Sequence, residues 1–480
     1  MTPTAETSLD LRAPELRTAS SVTDYLLVVP LGVQRRLARG WLWLGMLALV
    51  GAGLFSVLLV LSRTPVVNEW LPVADFFRVA LVVHVDLSVL VWFVALAGVL
   101  WSINGSGHGL RWAWTALGLC VAGAAIMSLA PFFGTGEALM VNYIPVLDDA
   151  GFIAGLLVFG SGTVLLVLRS LMAAPKIGVT PDGRGALQFG LNASIVATAV
   201  ALLAFGWSFA VMPDGLIGKA YFEILFWGGG HALQFTWTLL MLVSWLWLAS
   251  ATGARLPLSP RITLLMFALA LASVFVTPYA YLAHEISSVE HRNLHTWAMR
   301  LGGGVAILPI ALAIAIGLAS TRARPGSGPL RAALVSSMLL FGCGGLIGVF
   351  ISGENVMIPA HYHGSIVGVT MAFMGLVYLL LPQLGYRPPR PRLATLQPII
   401  YATGQLMHIV GLVWSGGYGV KRKVAGADQV LGSTGEMLGM GLMGLGGLFA
   451  IAGGLLFVIV VAGSLRHGES TTAARDAPSP

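Results

Sequence analysis

Residues 357–382 read MIPAHYHGSIVGVTMAFMGLVYLLLP. The run contains no Asp, Glu, Lys or Arg, and it exceeds the roughly 20 apolar residues that a helix needs to cross a bilayer. Near its start it carries His361 and His363, and ionisable side chains are costly in hydrocarbon unless function retains them. Runs of the same character lie outward from it at approximately 41–62, 78–101, 112–131, 150–170, 187–211, 223–251, 261–285, 294–320, 330–352, 397–417 and 433–464. The whole chain of 480 residues is 57% hydrophobic and 10% charged, with a mean hydropathy of +0.85. No soluble globular composition looks like that. The sequence therefore predicts an all-α membrane protein, a bundle of twelve transmembrane helices with no room for a separate soluble domain.

Three segments follow. Residues 1–40, with Arg12, Arg17, Arg35, Arg36 and Arg39, read as a cytoplasmic arm without the apolar core of a secretory signal. Residues 41–465 form the membrane domain, and residues 466–480 a polar tail too poor in apolar surface to fold. The breaks on the arm's side carry most of the Arg and Lys, as expected of cytoplasmic loops, so both termini are expected in the cytoplasm. The net charge of +7 is accounted for in this way and gives no support to nucleic-acid binding. One cluster breaks the rule: Lys421, Arg422 and Lys423 fall on the opposite side. The two cysteines, Cys120 and Cys343, lie inside apolar runs, which excludes a disulfide framework, a Cys-rich metal site and covalent haem attachment. The 60 glycines include the stretch GMGLMGLGGLFAIAGG (439–454), whose small-residue spacing suits close helix packing.

The histidines are the informative residues. His84, His231, His361 and His363 sit toward the outer ends of inward-running spans, and His284 at the outer end of an outward-running one. Five histidines from four helices thus share one depth. His408 stands alone in mid-span and is expected to be a core histidine bonded to a neighbour. His361 and His363, two residues apart, point to nearly opposite faces of one helix. Neutral imidazole is a common haem-iron ligand, so one helix can serve two haems, one on each side.

Four stretches carry a family resemblance: ENVMIPAHYHGSIVG (354–368), RVALVVHVDLSVLVWF (78–93), FWGGGHALQF (226–235) and PYAYLAHEISS (278–288). They resemble the catalytic subunit I of the haem-copper oxidase and nitric oxide reductase superfamily, and the likeness runs over all twelve spans. It implies two haems, with b type favoured. His84 and His363 match the axial ligands of a low-spin haem, and His361 the proximal ligand of a high-spin haem. His231 and His284 match two of the three histidines that hold a non-haem metal. Arg422 and Lys423 match the basic pair that meets the haem propionates, and Glu354 the place of an acidic residue near them.

Departures from the oxidase pattern shape the expected chemistry. Glu285 follows His284 where oxidases have a second histidine, and two imidazoles with a carboxylate suit iron better than copper. Phe235 stands where common oxygen reductases have a tyrosine, and the eighth span has no lysine for a cytoplasmic proton route. Together these point to reduction of nitric oxide to nitrous oxide at a haem iron and a non-haem iron, with His231, His284 and Glu285 as ligands. Two features keep an oxygen reductase with copper open. Tyr281 lies one turn before His284, where one branch of oxygen reductases carries its redox tyrosine, and His291 or His295 can replace Glu285 as ligand. The expected electron donor is a second subunit with a cupredoxin or c-type cytochrome, or a quinol, and the expected setting a bacterial cytoplasmic (inner) membrane and its lipid. A twelve-helix secondary transporter is the reading from another class, but the histidines lie off-centre and no internal repeat is visible.

Overall fold

The computed structural model describes residues 24–61, 76–134, 136–178, 181–351, 355–417 and 433–465. Arg422, Lys423, Glu354 and the tail 466–480 lie outside the described residues. Among those described, twelve helices are long and apolar enough to cross a membrane. They fall into two compact units.

The first unit comprises Pro30–Val243 and Leu258–Ala313. It contains α1 (Val33–Leu61), α2 (Phe76–Asn104), α3 (Leu110–Leu129), α4 (Ala150–Ala173) and α5 (Gly183–Ala210). It also holds α7 (Pro260–Ala283) and the larger parts of α6 (Gly218–Ala251) and α8 (Val289–Ser320). Helix α3 packs along α4, α1 along α2, and α5 along α7. The α3–α4 approach is close because Gly123 faces the Gly155 carbonyl and the Phe159 backbone, where a Cβ would collide. Between α3 and α4 a short hairpin pairs β1 (Glu137–Leu139) with β2 (Val146–Asp148), Ala138 opposite Leu147.

The second unit is drawn from the described residues of Met1–Val29, Ser244–Pro257 and Ile314–Pro480. It holds α9 (Gly328–Val349), α10 (Met357–Gln383), α11 (Pro391–Gly417) and α12 (Thr434–Leu465). Helices α11 and α12 lie side by side over much of their length, as do α9 and α10. Gly446, within the glycine-rich stretch, faces the backbone of Met407 and His408, and Gly411 that of Met443, so glycine serves packing here. The arm's residues 24–29 are extended, and the buried Tyr25 donates its backbone N–H to Ser250 Oγ at 3.1 Å.

Several helices begin before their apolar runs do. Helix α1 starts at Val33 within the expected arm, and α8 at Val289 where hydropathy begins at 294. Hydropathy marks the part of a helix in hydrocarbon, whereas the helix continues until a capping residue ends it. Asp149, Asp182 and Ser259 cap α4, α5 and α7 through side-chain oxygens. At α8 the Ser288 hydroxyl accepts the His291 backbone N–H at 3.1 Å. Helix α7 breaks at Phe275, three residues before Pro278, whose missing N–H cannot continue the ladder.

Candidate metal centre

Helix α6 brings His231 into the first unit, 3% exposed. Its Nδ1 donates to the carbonyl of Trp227 one turn earlier, at 2.7 Å, so Nε2 carries the lone pair. On α8, His295 repeats the device: Nδ1 donates to the His291 carbonyl at 2.9 Å, and Nε2 is buried without a partner. The His291 ring lies against the Ala280 carbonyl of α7, and its buried Nδ1 has no partner. His291 and His295 are each 1% exposed.

The His295 ring adjoins each of the other two. The ring centres of His231 and His295 are 5.7 Å apart, and those of His291 and His295 4.6 Å. Imidazoles sharing a metal at about 2 Å hold their ring centres about 5 Å apart. Among the described residues no three His, Cys, Asp or Glu side chains already converge at ligating distance, so closing the site requires rotation of the rings about their side-chain bonds. The donor set nonetheless fits a metal. Each ring rests on a backbone carbonyl, which orients the opposite nitrogen, and two of those nitrogens are otherwise orphaned in the interior.

Two tyrosines flank this cluster. Tyr281 of α7 sets its ring edge-on to His291 at 4.7 Å and lies 6.0 Å from His295. Its hydroxyl is 2.6 Å from Ser208 Oγ and donates to the Ala204 carbonyl at 3.1 Å. Tyr143, at the tip of the β1–β2 hairpin, sets its hydroxyl 2.8 Å from Nδ1 and 2.9 Å from Nε2 of His231. The glycines before His231 admit both: a Cβ on Gly228 would meet the Tyr281 ring, and one on Gly230 the Tyr143 ring.

His284 and Glu285, expected as ligands beside His231, stand elsewhere. His284 caps the C-terminus of α7, and both residues line an open groove of about 520 Å³ with Trp207, Val211, Pro213 and Tyr281. Glu285 is exposed. The aromatic and histidine neighbours of the His231 ring are Tyr143, Trp227 and His295. The reason is local: α7 ends at Ala283 and the Ser288 cap starts α8 early, which winds His291 and His295 into one helical face in place of the His284–Glu285 pair. Phe235 is buried one turn after His231.

The remaining histidines are also oriented by carbonyls. His84 Nδ1 donates to Ala52 O at 2.9 Å, leaving the lone pair on Nε2. His84 is followed by a π-helical turn, Asp86–Val91, whose first residue Asp86 is 1% exposed with neither carboxyl oxygen partnered. Such turns frequently mark functional sites, yet Asp86 drew no attention in the sequence because only its burial distinguishes it. In the second unit His361 Nδ1 donates to Gly344 O of α9 at 2.7 Å, whereas the His363 ring lies 4.6 Å from that of His408 on α11. The two histidines thus serve different sides of α10, as their spacing predicts. His408 itself donates Nδ1–H to Met443 O at 3.0 Å.

Residues 36–451 match the family described as Cytochrome C and Quinol oxidase polypeptide I. The chain belongs to that family, the subunit I superfamily of the haem-copper oxidases. It is similar to an uncharacterized protein of Rickettsia prowazekii (strain Madrid E), 28% identical over 498 residues that cover 88% of this chain and 95% of the relative. An uncharacterized protein of Aquifex aeolicus (strain VF5) is 29% identical over 352 residues, covering 72% of this chain and 85% of its own. Among solved structures, a heme-copper terminal oxidase dimer determined by cryo-EM shares the fold, with a TM-score of 0.71 at 17% identity over 94% of this chain and 89% of that one. Membership makes the chain an integral multi-pass membrane oxidoreductase of terminal-oxidase type, a class that carries haems and a second metal and works with an electron donor.

Proposed function

We propose that the chain is the catalytic subunit of a terminal oxygen reductase in which His231, His291 and His295 hold a non-haem copper. The observation that carries this reading is the cluster of three buried imidazoles with no carboxylate among them. Three imidazoles form a softer donor set than two with a carboxylate, and they suit copper. When bound, the haem iron and the second metal supply the redox chemistry on oxygen. The chain's own residues hold and orient: backbone carbonyls fix each imidazole, and Tyr281 sets its ring edge-on to His291 with its hydroxyl on the Ala204 carbonyl and Ser208, which can exchange the phenolic proton. His84, His361 and His363 are haem ligands in this reading, supported for His84 and His361 by the carbonyl that fixes each ring. Arg422, Lys423 and Glu354 remain proposed partners of the propionates on their sequence positions, and a cupredoxin or c-type cytochrome subunit, or a quinol, the proposed donor.

Nitric oxide reduction at non-haem iron is the second reading, favoured by Phe235, which leaves α6 without the tyrosine expected of common oxygen reductases. Iron and copper counts on purified protein, together with turnover on each gas, decide between them. Stoichiometric copper with faster oxygen turnover is expected. A third iron per chain with faster nitric oxide turnover would sink the oxygen reading.

A further inference from the structure

Helix α8 turns one long stripe away from the rest of the chain. Leu301, Val305, Leu308 and Leu312 recur along it at helical spacing, and all four are exposed. An apolar stripe that faces lipid is unremarkable in a membrane protein. Two polar groups on this stripe are not.

The first is Arg300. It is exposed, and it stands six residues beyond the start of the apolar run at 294, about 9 Å deeper at 1.5 Å per residue. Charged side chains at such depth face a bundle interior or pair with an opposite charge. Among the described residues the contact of Arg300 is instead the ring of Trp297, itself exposed, 5.5 Å from the guanidinium carbon. The one acid of α8, Glu290, lies ten residues earlier. The second group is the carbonyl of Val305. Pro309 lies inside α8 and has no N–H to give that carbonyl. Val305 and Pro309 are both exposed, so the freed acceptor lies at the surface that faces hydrocarbon, which offers it no donor. Between the two groups Gly304 leaves the backbone bare, for a Cβ there would meet nothing within 4 Å. Small residues of this kind let a second helix approach closely in a bilayer.

We propose that this stripe of α8 is the seat of a transmembrane helix from a partner protein of different sequence. That helix carries an Asp or Glu opposite Arg300 and a hydroxyl side chain opposite the Val305 carbonyl. The competing occupants fit less well. A second copy presenting the same stripe would set Arg300 against Arg300 at equal depth, and like charges repel strongly where the dielectric is low. A phospholipid phosphate can answer the guanidinium, but acyl chains give nothing to the carbonyl. The inference concerns assembly and holds for either gas at the metal centre.

The test uses the full chain in its native membrane, with a photo-reactive diazirine side chain in place of Leu308. The expected product on illumination is a discrete polypeptide, cross-linked within an apolar run of about 20 residues that contains an Asp or Glu. Arg300→Gln, and Gly304→Leu with its side chain built into the open space, should each lower the yield by about 3-fold to 20-fold, the span of polar contacts between membrane helices. Arg300→Lys keeps the charge and should keep most of the yield. An unchanged haem absorption reports that each variant is folded. Arg300→Glu should abolish the product, and exchanging the partner's acid for Arg should restore it. Label found on phospholipid alone, or on a second copy of this chain, overturns the proposal. So does a polypeptide product whose yield neither Arg300→Gln nor Gly304→Leu moves. Metal content and turnover do not enter the readout, so failure here leaves the functional reading standing.

Discussion

His291 and His295 are four residues apart on α8, so they share one face, and His295 lies between the rings of His291 and His231. The expected outcome of His291→Ala or His295→Ala is loss of the non-haem metal with both haems retained, whereas Glu285→Gln keeps it because that carboxylate is exposed. Metal analysis of the three variants checks this, and copper lost with Glu285→Gln would restore the carboxylate as ligand. Tyr281→Phe removes a phenolic proton without disturbing a histidine. Turnover should fall by about 100-fold or more, the scale of a lost general acid, while metal content and haem spectrum stay unchanged. His84→Ala should remove the low-spin haem absorption, since two axial imidazoles are what make such an iron low-spin. A surviving low-spin spectrum would reassign that histidine.

Helix boundaries decide which side chains reach the site. Ser288 caps α8 and so places His291 within the first turn. Replacing it by Ala costs about 1 kcal/mol of helix stability, concentrated at the helix end that carries the proposed ligands His291 and His295. The expectation is faster hydrogen exchange over that end of α8 and easier removal of the non-haem metal by a chelator, with haem absorption intact; unchanged exchange would show that packing alone holds the turn. The signal was present in the sequence: Ser288 followed by Glu290 is a helix-start pattern. Hydropathy drew attention to 294 instead, because it registers immersion in hydrocarbon and ignores caps. The hairpin is the opposite case. Nothing in Met140–Pro145 distinguishes Tyr143 as a partner of His231, for that contact depends on strand register and on the hydrogen bonds that Asn142 gives the Glu223 carboxylate.

A membrane enzyme must also bring protons to its site. Glu223, Glu285 and Glu290 lie toward the face assigned as outer, and no lysine or acid follows His231 on the inner side, so proton uptake is expected from outside without pumping. Oriented liposomes should then show little membrane potential during turnover. The first unit does contain buried hydroxyls that an inner route would use: Trp101 donates to Ser194 Oγ at 2.9 Å, and the Thr198 and Thr236 hydroxyls are 3.0 Å apart. A clear potential that disappears in Thr198→Val would establish that route.

Span number, membrane setting and family were legible in the chain itself, because burial in lipid demands long apolar runs and the stretches that carry the family likeness, such as those around His84, His361 and His363, are short and contiguous. These are local requirements, written into consecutive residues. Which imidazoles lie beside His231 was not, because His284 and Glu285 stand three and four residues after Tyr281 whereas His291 stands ten after it, and adjacency favours the nearer pair. Their separation came from the end of α7 at Ala283 and the winding of α8 from Val289. Which imidazoles share a point in space depends on how two helices meet a third, and no stretch of a single helix records that.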